Sequence, residues 1–428
     1  MNMKNFLFNS SAGLILAILS SSAFSQNLSG QISASTGISD NAFKSEGGAL
    51  EERQDTYAAS LSGKYNNRLV NANAEYVAQS QQYSEGSQED RGFLDGRSSV
   101  MLGGASDPVD LELRHSIRTL LTSPDALNTS TNQDDREIIS ATPRLKQRFS
   151  NVDLLILSAD LTHIGFDKNK LNNSERITAA ANWVRDFSRV SNINLNIEQT
   201  DVAFENAQDA DYQYTNSSII YSAQLRKLAY SLAVGYNKSK RDIGDSYGSP
   251  TYTFSAHYET AYHDFHFASS KIITDSSLGD GNLLSVNLDP TSDGAYNVDQ
   301  IERENTEISW TSQLLCSRCT TSISLHMSND DYLVLGDTRE GRGGAVDITY
   351  AFSKWSRVSY RLSTTEHKFA GSFEGRDYRY KRQLLDLSFD VSKNMAVTVF
   401  YENESRDSEF DYQIYDENVF GGSVNFSF

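Results

Sequence analysis

The chain ends in Asn418-Val-Phe-Gly-Gly-Ser-Val-Asn-Phe-Ser-Phe428. One parity of this stretch carries Phe420, Gly422, Val424, Phe426 and Phe428, with mostly polar or small residues between them. Alternation with a period of two is typical of a β-strand that has one apolar and one polar face. The rest of the chain repeats this alternation, so the sequence predicts an all-β fold.

The C-terminal Phe indicates which type of β-protein this is. A strand of this kind that closes on a C-terminal Phe looks like the last strand of a bacterial outer-membrane β-barrel, whose lipid side is apolar and whose lumen is polar. In such barrels the terminus commonly acts as the signal for the barrel-assembly machinery. We therefore expect a transmembrane up-and-down antiparallel β-barrel in the outer membrane of a Gram-negative bacterium, with Phe428 as the assembly signal. The alternative is a soluble periplasmic β-protein.

The N-terminus has the pattern of a secretory signal peptide. Lys4 precedes an apolar stretch, residues 12–19, which is too short to span a bilayer. Ala23 and Ser25 suit the positions −3 and −1 of a cleavage site. We predict a signal peptide over residues 1–25 and one barrel domain over residues 26–428.

Connection lengths support the barrel independently. Counting the alternating segments gives about 20 strands, with 18–22 as the range. The connections after odd-numbered strands are long and acidic, and those after even-numbered strands are short. Examples of the long connections are residues 80–91, 122–137, 201–211, 275–303 and 365–379. Since short turns face the periplasm in such barrels, we predict that both termini are periplasmic. Pro143 interrupts a strand pattern, which predicts a β-bulge there.

The charge balance points away from nucleic acid. Asp and Glu number 56 against 38 Lys and Arg, a net charge of −18. The acidic residues concentrate in the long connections. Such loops are either simply solvated, or they hold divalent cations shared with lipopolysaccharide, or they raise the cation concentration at a pore mouth. The partners expected from this surface are outer-membrane lipid and lipopolysaccharide.

The parity that faces the lumen carries many cations. Three consecutive strands and one later strand place them on the inner face, beside Asp95, Asp110 and Glu112. The predicted pore-lining cations are Arg97, Arg114, Arg118, Arg144, Lys146, Arg148, Arg357 and Arg361. A positive wall would attract anionic solutes, as charged rings in pores commonly do. The alternative is a lattice of salt bridges that stiffens the wall.

Two smaller clusters invite chemical interpretations. Cys316 and Cys319 are the only cysteines and lie in a predicted periplasmic turn, where a local disulfide is plausible. His257 and His266 share inward parity on one hairpin and suggest a metal only weakly, because such residues usually line a wet lumen. Because no catalytic constellation stands out and no cofactor motif is found, we predict no enzyme activity, no cofactor and no metal.

The longest connection, residues 275–303, differs from the other long ones in being apolar at its centre. It contains Leu283, Leu284, Val286 and Leu288, with glycines on either side. An apolar cluster needs something to bury against. We predict that this connection folds over or into the pore; the alternative is an outer loop that packs on lipopolysaccharide.

Several short stretches carry a family resemblance. They are Ser29–Phe43 after the signal, Ser140–Leu145, Lys271–Ser277, Val298–Glu304 and the Phe428 terminus. Together they resemble the porin-like outer-membrane β-barrels associated with exopolysaccharide and PEP-CTERM (exosortase) systems. The resemblance implies a role in surface-polysaccharide export, with polysaccharide and export-system proteins as partners, and it offers no functional residues to carry over. The rival hypothesis is a non-conducting surface barrel that makes adhesive or structural contacts through its acidic extracellular loops.

Overall fold

The computed structural model describes residues 28–47, 50–104, 106–123, 125–278, 298–314 and 316–428. These residues form twenty β-strands and a few three-residue 3-10 turns. The strands are β1 (Leu28–Ser39), β2 (Glu52–Asn66), β3 (Val70–Tyr83), β4 (Arg91–Leu102), β5 (Val109–Leu121), β6 (Gln133–Arg148), β7 (Asp153–Phe166), β8 (Ser174–Ser188), β9 (Ser191–Phe204), β10 (Tyr212–Gln224), β11 (Leu228–Arg241), β12 (Ser246–Glu259), β13 (His263–Asp275), β14 (Gln300–Ser312), β15 (Cys319–Tyr332), β16 (Thr338–Ala351), β17 (Ser356–Ala370), β18 (Tyr378–Asp390), β19 (Met395–Ser408) and β20 (Tyr415–Ser427). Within these described ranges, no helix has the length and hydropathy needed to span a bilayer.

The strands close into one barrel. Each strand pairs antiparallel with the next along the chain, and β20 pairs antiparallel with β1 to complete the circle. Phe428 strengthens this closure, because its backbone exchanges two hydrogen bonds with Gly30, N–H to O distances of 2.9 and 3.0 Å. The all-β fold, the antiparallel barrel and the count of about 20 strands are therefore confirmed.

The two ends of the barrel differ. Connections such as residues 67–69 and 189–190 lie at the end we call the short-turn end, together with the first residue of β1 and the last of β20. Connections after odd-numbered strands, such as residues 167–173 and 205–211, lie at the opposite end, which we call the long-connection end. The orientation of these ends relative to the periplasm stays a prediction.

The strands extend further toward the long-connection end than the alternation predicts. Segments assigned to connections from residues 80, 201 and 365 instead continue as strands to Tyr83, Phe204 and Ala370. The prediction of these boundaries was wrong because it depended on apolar residues on the outer parity. Ladder hydrogen bonds need no apolar face, so a strand continues where both of its faces are polar.

The predicted bulge at Pro143 is absent. Pro143 pairs with Leu111 of β5, and the ladder to β7 keeps one register on either side of it, from Ala141–Leu161 to Arg144–Ser158. A proline without an N–H weakens the ladder locally, and here the register survives this loss. A register shift occurs instead in the ladder between β8 and β9, between Asp186 and Ser188 of β8.

The wall separates an outer and an inner face. Large apolar side chains are exposed on one parity of paired strands, such as Ile32, Leu161 and Ile177. The opposite parity carries mainly polar and charged side chains, and these face the lumen. Among the described residues, two buried apolar clusters lie on the lumen face near the long-connection end, and one of them consists of Leu120, Ile138, Ile164 and Phe166. A smaller cluster around Ala74 and Tyr76 lies on the outer face. The core of this protein is therefore a packed mouth at one end of a polar barrel.

Candidate channel and its constriction

Exposed aromatic side chains form a ring near the short-turn end. They belong to turns and adjacent strand ends: Phe149, Phe187, Tyr262, Phe352 and Phe428. Each of them exposes half or more of its surface. In transmembrane β-barrels, girdles of aromatic residues flank the apolar band where the membrane meets water. The ring therefore marks one edge of an apolar belt around the barrel.

Three of the predicted pore-lining cations gather around two carboxylates on β5. The Nε atom of Arg144 lies 2.6 Å from Asp110 Oδ1, and its Nη1 atom lies 3.3 Å from Glu112. Lys146 also contacts Asp110, and Arg114 contacts Glu112 at 2.6 Å. These cations share the lumen face of β5 and β6. Three cations share two carboxylates, so most of the positive charge of this cluster is compensated and a net charge of about +1 remains.

The remaining predicted cations are spread along the wall. Arg97 lies 3.8 Å from Glu75 across the β3–β4 ladder, and Arg118 interacts electrostatically with Asp95. Arg148 donates to the carbonyl oxygen of a residue in the adjacent turn, at 3.3 Å. The other two lie on β17, seven or more strands away: Arg357 is 3.4 Å from Asp390, and Arg361 is 2.5 Å from Asp347. The structure thus joins Arg114, Arg144 and Lys146 through shared carboxylates. Arg97, Arg118 and Arg148 lie on the same or adjacent strands with other partners, and Arg357 and Arg361 lie far from the cluster.

The wall opens between β12 and β13 at the long-connection end, where the end of β13 turns inward; we call residues 272–277 the hairpin tip. The ladder between β12 and β13 ends at the pair Tyr252–Lys271, although β13 continues to Asp275. Residues 273–277 are all buried, which breaks the alternation of a wall strand. The pairing of β13 with β14 continues to the pair Asp275–Gln300. β14 in turn stays paired with β15 up to the pair Ile301–Tyr332. The end of β13 therefore bends into the lumen, while its ladder with β14 and that of β14 with β15 stay intact.

A buried ion pair holds this tip against the lumen face of β8, about a quarter of the way around the barrel. Arg176 on β8 donates to Asp275 on β13, with Nη2 2.5 Å from Oδ2, and four strands separate these two in the wall. Arg176 also donates to Ser277 Oγ at 2.6 Å, and the Tyr212 hydroxyl donates to Asp275. The side chains of Arg176 and Asp275 are 6% and 0% exposed. We call Arg176, Tyr212, Asp275 and Ser277 the latch.

Apolar contacts surround the latch. Leu278 packs on the cluster of Leu120, Ile138, Ile164 and Phe166. Val298, where the described chain resumes, packs on Val202, Phe204 and Tyr212. Both ends of the longest connection therefore lie inside the lumen. Its apolar residues Leu283, Leu284, Val286 and Leu288 lie outside the described residues.

A second connection crosses the mouth from the other side. In the loop between β5 and β6, the Asp125 carboxylate contacts Arg376 at 2.8 Å. Arg406 on β19 donates to the carbonyl oxygens of Asp125 and Ala126 and stacks on the Tyr378 ring, 3.8 Å from its centroid. This loop therefore narrows the lumen opposite the latch.

Lys44, in the loop between β1 and β2, anchors a third inward contact. Its Nζ atom lies 2.7 Å from Glu404 and 3.5 Å from Glu417, and its side chain is largely buried. Burial opposes its charge, but Glu404, Tyr415 and Glu417 together raise the pKa of the Lys44 ammonium above its ordinary value. Lys44 is therefore charged at neutral pH and fixes its loop to the wall.

The sequence did not single out the latch or these loop anchors. Arg176 and Asp275 are 99 residues apart, Arg406 and Asp125 are 281 apart, and Lys44 and Glu404 are 360 apart, so no local pattern joins these pairs. One signal was present: Ile138, Ile164 and Phe166 are apolar on the lumen parity, at strand ends. Apolar residues facing a water-filled lumen need a cover, and this pattern indicates a packed mouth.

The structure also shows where the cysteine pair and the histidine pair of the sequence analysis lie. Cys316 and Cys319 form a disulfide in the connection between β14 and β15, at the short-turn end. His257 and His266 are directly opposite each other on the lumen face, and the Nε2 atom of His257 lies 3.0 Å from Asp264. The His257 ring is half-exposed and held by this carboxylate.

A closed barrel with an apolar belt, an aromatic ring and a polar interior defines the class of transmembrane β-barrels. Solved structures of this architecture resemble the chain. OccK2 (OpdF) of Pseudomonas aeruginosa, in complex with glucuronate, has 11% sequence identity and a TM-score of 0.42, covering 94% of this chain and 99% of that one. OpdK of the same organism, with vanillate, has 11% identity and a TM-score of 0.43, covering 95% and 100%.

The FrpB iron transporter from Neisseria meningitidis gives a TM-score of 0.44 at 8% identity, covering 94% of this chain and 82% of that one. At such scores the likeness is confined to the barrel architecture. No protein-family model matches the sequence, and no curated protein matches it either.

Proposed function

We propose that the protein is an outer-membrane channel with a mouth constricted at its long-connection end. The observation that carries this proposal is the latch, a buried Arg176–Asp275 ion pair that joins two distant parts of the wall. A strand end held inside a barrel leaves a polar path narrower than twenty strands would otherwise enclose. The apolar belt supports a membrane location, and Phe428 supports recognition by the barrel-assembly machinery.

The lumen chemistry supports hydrophilic solutes. Cations and carboxylates alternate and pair along the wall, as around Asp110, which weakens the case for a purely anion-selective pore. Passage of a surface polysaccharide or its fragments, with export-system proteins as partners, is the finer part of the proposal. It rests on the sequence resemblance and on a lumen wall rich in Ser, Thr and Asn.

Single-channel conductance in planar bilayers tests the constriction. We expect a small conductance for the natural protein and a larger one for the double variant Arg176→Met, Asp275→Leu, which removes both latch charges. Arg357→Met is the matched control. It also removes a lumen cation that faces a carboxylate, Asp390 at 3.4 Å, but this pair lies on the open wall and holds no connection in the lumen. Equal conductance for the natural protein and the latch variant, with both correctly folded, contradicts a constriction held by the latch.

A second candidate is the non-conducting surface barrel. The packing of the mouth favours it, since Ile164 and Ile301 are fully buried on the lumen side. In that case the acidic loops make contacts with lipopolysaccharide or another surface. Absence of any conductance, in the natural protein and in the latch variant alike, supports this candidate over the channel.

A further inference from the structure

Three side chains on the outer face of the barrel converge on one point. His163, Glu175 and Glu205 each offer a ligand atom, and these atoms all lie within 4.8 Å of one another. The set joins one imidazole and two carboxylates from β7, β8 and the connection after β9. This is a mixed nitrogen and oxygen donor set of the kind that binds first-row transition metals.

The backbone brings the three residues together. His163 and Glu175 are directly opposite each other in the β7–β8 ladder. The N–H of Glu205 donates to the carbonyl oxygen of Asn173 at 3.0 Å, which continues the sheet one residue beyond β9. The Asn173 amide donates to Glu205 Oε2 at 3.3 Å and orients the carboxylate, so that Oε1 points to His163. An outer hydrogen bond of this type fixes a metal-ligating carboxylate.

The spacing suits a metal ion after a small adjustment. The Nδ1 atom of His163 lies 4.0 Å from Oε1 of Glu205. Two ligands on tetrahedral Zn²⁺ are about 3.4 Å apart, given metal–ligand distances of about 2.0–2.2 Å. Both side chains are 42% exposed, so rotation of their terminal groups can close the difference. Gly165, two residues along β7, has no side chain beside the ring.

The position of the cluster sets its surroundings. Leu161 and Ile177 precede it on the same face and are 52% and 59% exposed, as members of the apolar belt. His163 and Glu175 come next along the strands, toward the long-connection end. The cluster therefore lies at the edge of the belt, within reach of ions from water.

We propose that His163, Glu175 and Glu205 form a Zn²⁺ site on the outer rim of the barrel. The ion neutralises two neighbouring carboxylates and takes a nitrogen ligand from neutral imidazole. Three protein ligands leave a coordination position for water. Because the ligands come from β7, β8 and the connection after β9, the bound ion cross-links this part of the rim.

Metal binding to the purified full-length protein in detergent tests the site. Calorimetric titration with Zn²⁺ measures affinity and stoichiometry, and the visible spectrum of Co²⁺ reports the ligand set. Both are done in a His257→Gln, His266→Gln background, which removes the histidine pair in the lumen. We expect one ion per chain and an affinity at least tenfold weaker after His163→Gln or Glu205→Gln. Glu259→Gln, an exposed carboxylate elsewhere, is the matched control and leaves the affinity unchanged.

Stability supplies a second measurement. A ligand that binds only the folded state raises its stability in proportion to the logarithm of its concentration over the dissociation constant. Zn²⁺ should therefore raise the temperature at which the barrel unfolds, and His163→Gln should abolish the increase. Equal Zn²⁺ affinity in His163→Gln and its background, or no binding by the folded background protein at millimolar Zn²⁺, overturns the proposal.

Discussion

Arg176 and Asp275 illustrate how one pair of residues stabilises the packed mouth. Removing one partner leaves an uncompensated buried charge, which costs about 3–5 kcal/mol, whereas replacing both by apolar residues costs much less. We predict that Arg176→Met lowers the free energy of unfolding by about 3 kcal/mol or more. The double variant Arg176→Met, Asp275→Leu should recover most of this loss, as measured by urea unfolding in lipid vesicles.

The exposed Arg357–Asp390 ion pair serves as the comparison for the buried Arg176–Asp275 pair. Its two side chains are 47% and 33% exposed, and exposed pairs contribute less than about 1 kcal/mol. Arg357→Met should therefore unfold almost as the natural protein does. A loss at Arg357 equal to that at Arg176 would show that burial does not determine the contribution of the latch.

Lys44 gives a prediction about pH. Its pKa is raised in the folded protein, so its contribution to stability is complete below the unfolded value of about 10.4 and is lost as pH rises through the folded value. The difference in unfolding free energy between the natural protein and Lys44→Met should be constant from pH 7 to pH 10 and shrink above that. A difference that already falls between pH 7 and pH 9 would contradict the assigned ion pair.

At the scale of the strand, Gly96 of β4 lets the Tyr76 ring of the neighbouring strand β3 lie directly over the β4 backbone. The Tyr76 ring lies over this glycine, where a Cβ atom would overlap the ring and the Glu75 carbonyl oxygen. Tyr76 thereby reaches Ser98 at 2.9 Å and His115 at 2.6 Å on the outer face. Gly96→Ala should cost about 1–3 kcal/mol through overpacking.

Gly92, on the same strand and parity, is the matched control for this substitution. A Cβ atom there would meet only the Gln79 carbonyl oxygen, at 3.7 Å, which is ordinary contact. Gly92→Ala should change the unfolding free energy by less than about 0.5 kcal/mol. Similar losses of unfolding free energy in Gly96→Ala and Gly92→Ala would mean that the position of the Tyr76 ring over Gly96 does not matter for stability.

The turn between β14 and β15 contains the disulfide Cys316–Cys319. A bridge across so short a loop restricts little unfolded-state entropy, so it contributes about 2 kcal/mol or less. The double variant Cys316→Ser, Cys319→Ser should assemble normally in the outer membrane, as judged by its folded band on a gel. Degradation of this variant in cells would show that the turn needs its disulfide.

At the scale of the whole molecule, closure of the barrel depends on the β1–β20 pairing. Phe428 extends this pairing, and its ring covers Gly30. We expect the natural protein to need detergent for purification and to migrate differently on gels before and after heating. Deletion of Phe428 should reduce the folded fraction in the outer membrane several-fold, while Ser427→Ala should not. Purification of the natural protein as a soluble monomer without detergent would contradict the membrane barrel.

The sequence by itself determined the barrel. Alternation is a local property, because each side chain points to one face or the other within a strand, and connection length is counted directly along the chain. These two patterns predicted about 20 antiparallel strands and the parity of Arg114, Arg144 and Lys146. Where outward residues became polar, as before Tyr83 and Phe204, alternation failed and the strand ends were misplaced.

The tertiary structure alone decided what fills the barrel. Arg176 meets Asp275, Arg406 meets Asp125 and Lys44 meets Glu404 across 99 to 360 residues, and no local pattern pairs them. His163, Glu175 and Glu205 likewise converge only because β7, β8 and β9 are neighbours in register. Register and the inward bend of the hairpin tip are set by packing between distant segments. Each of these charged side chains meets its partner only because folding of the barrel brings distant segments of the chain together.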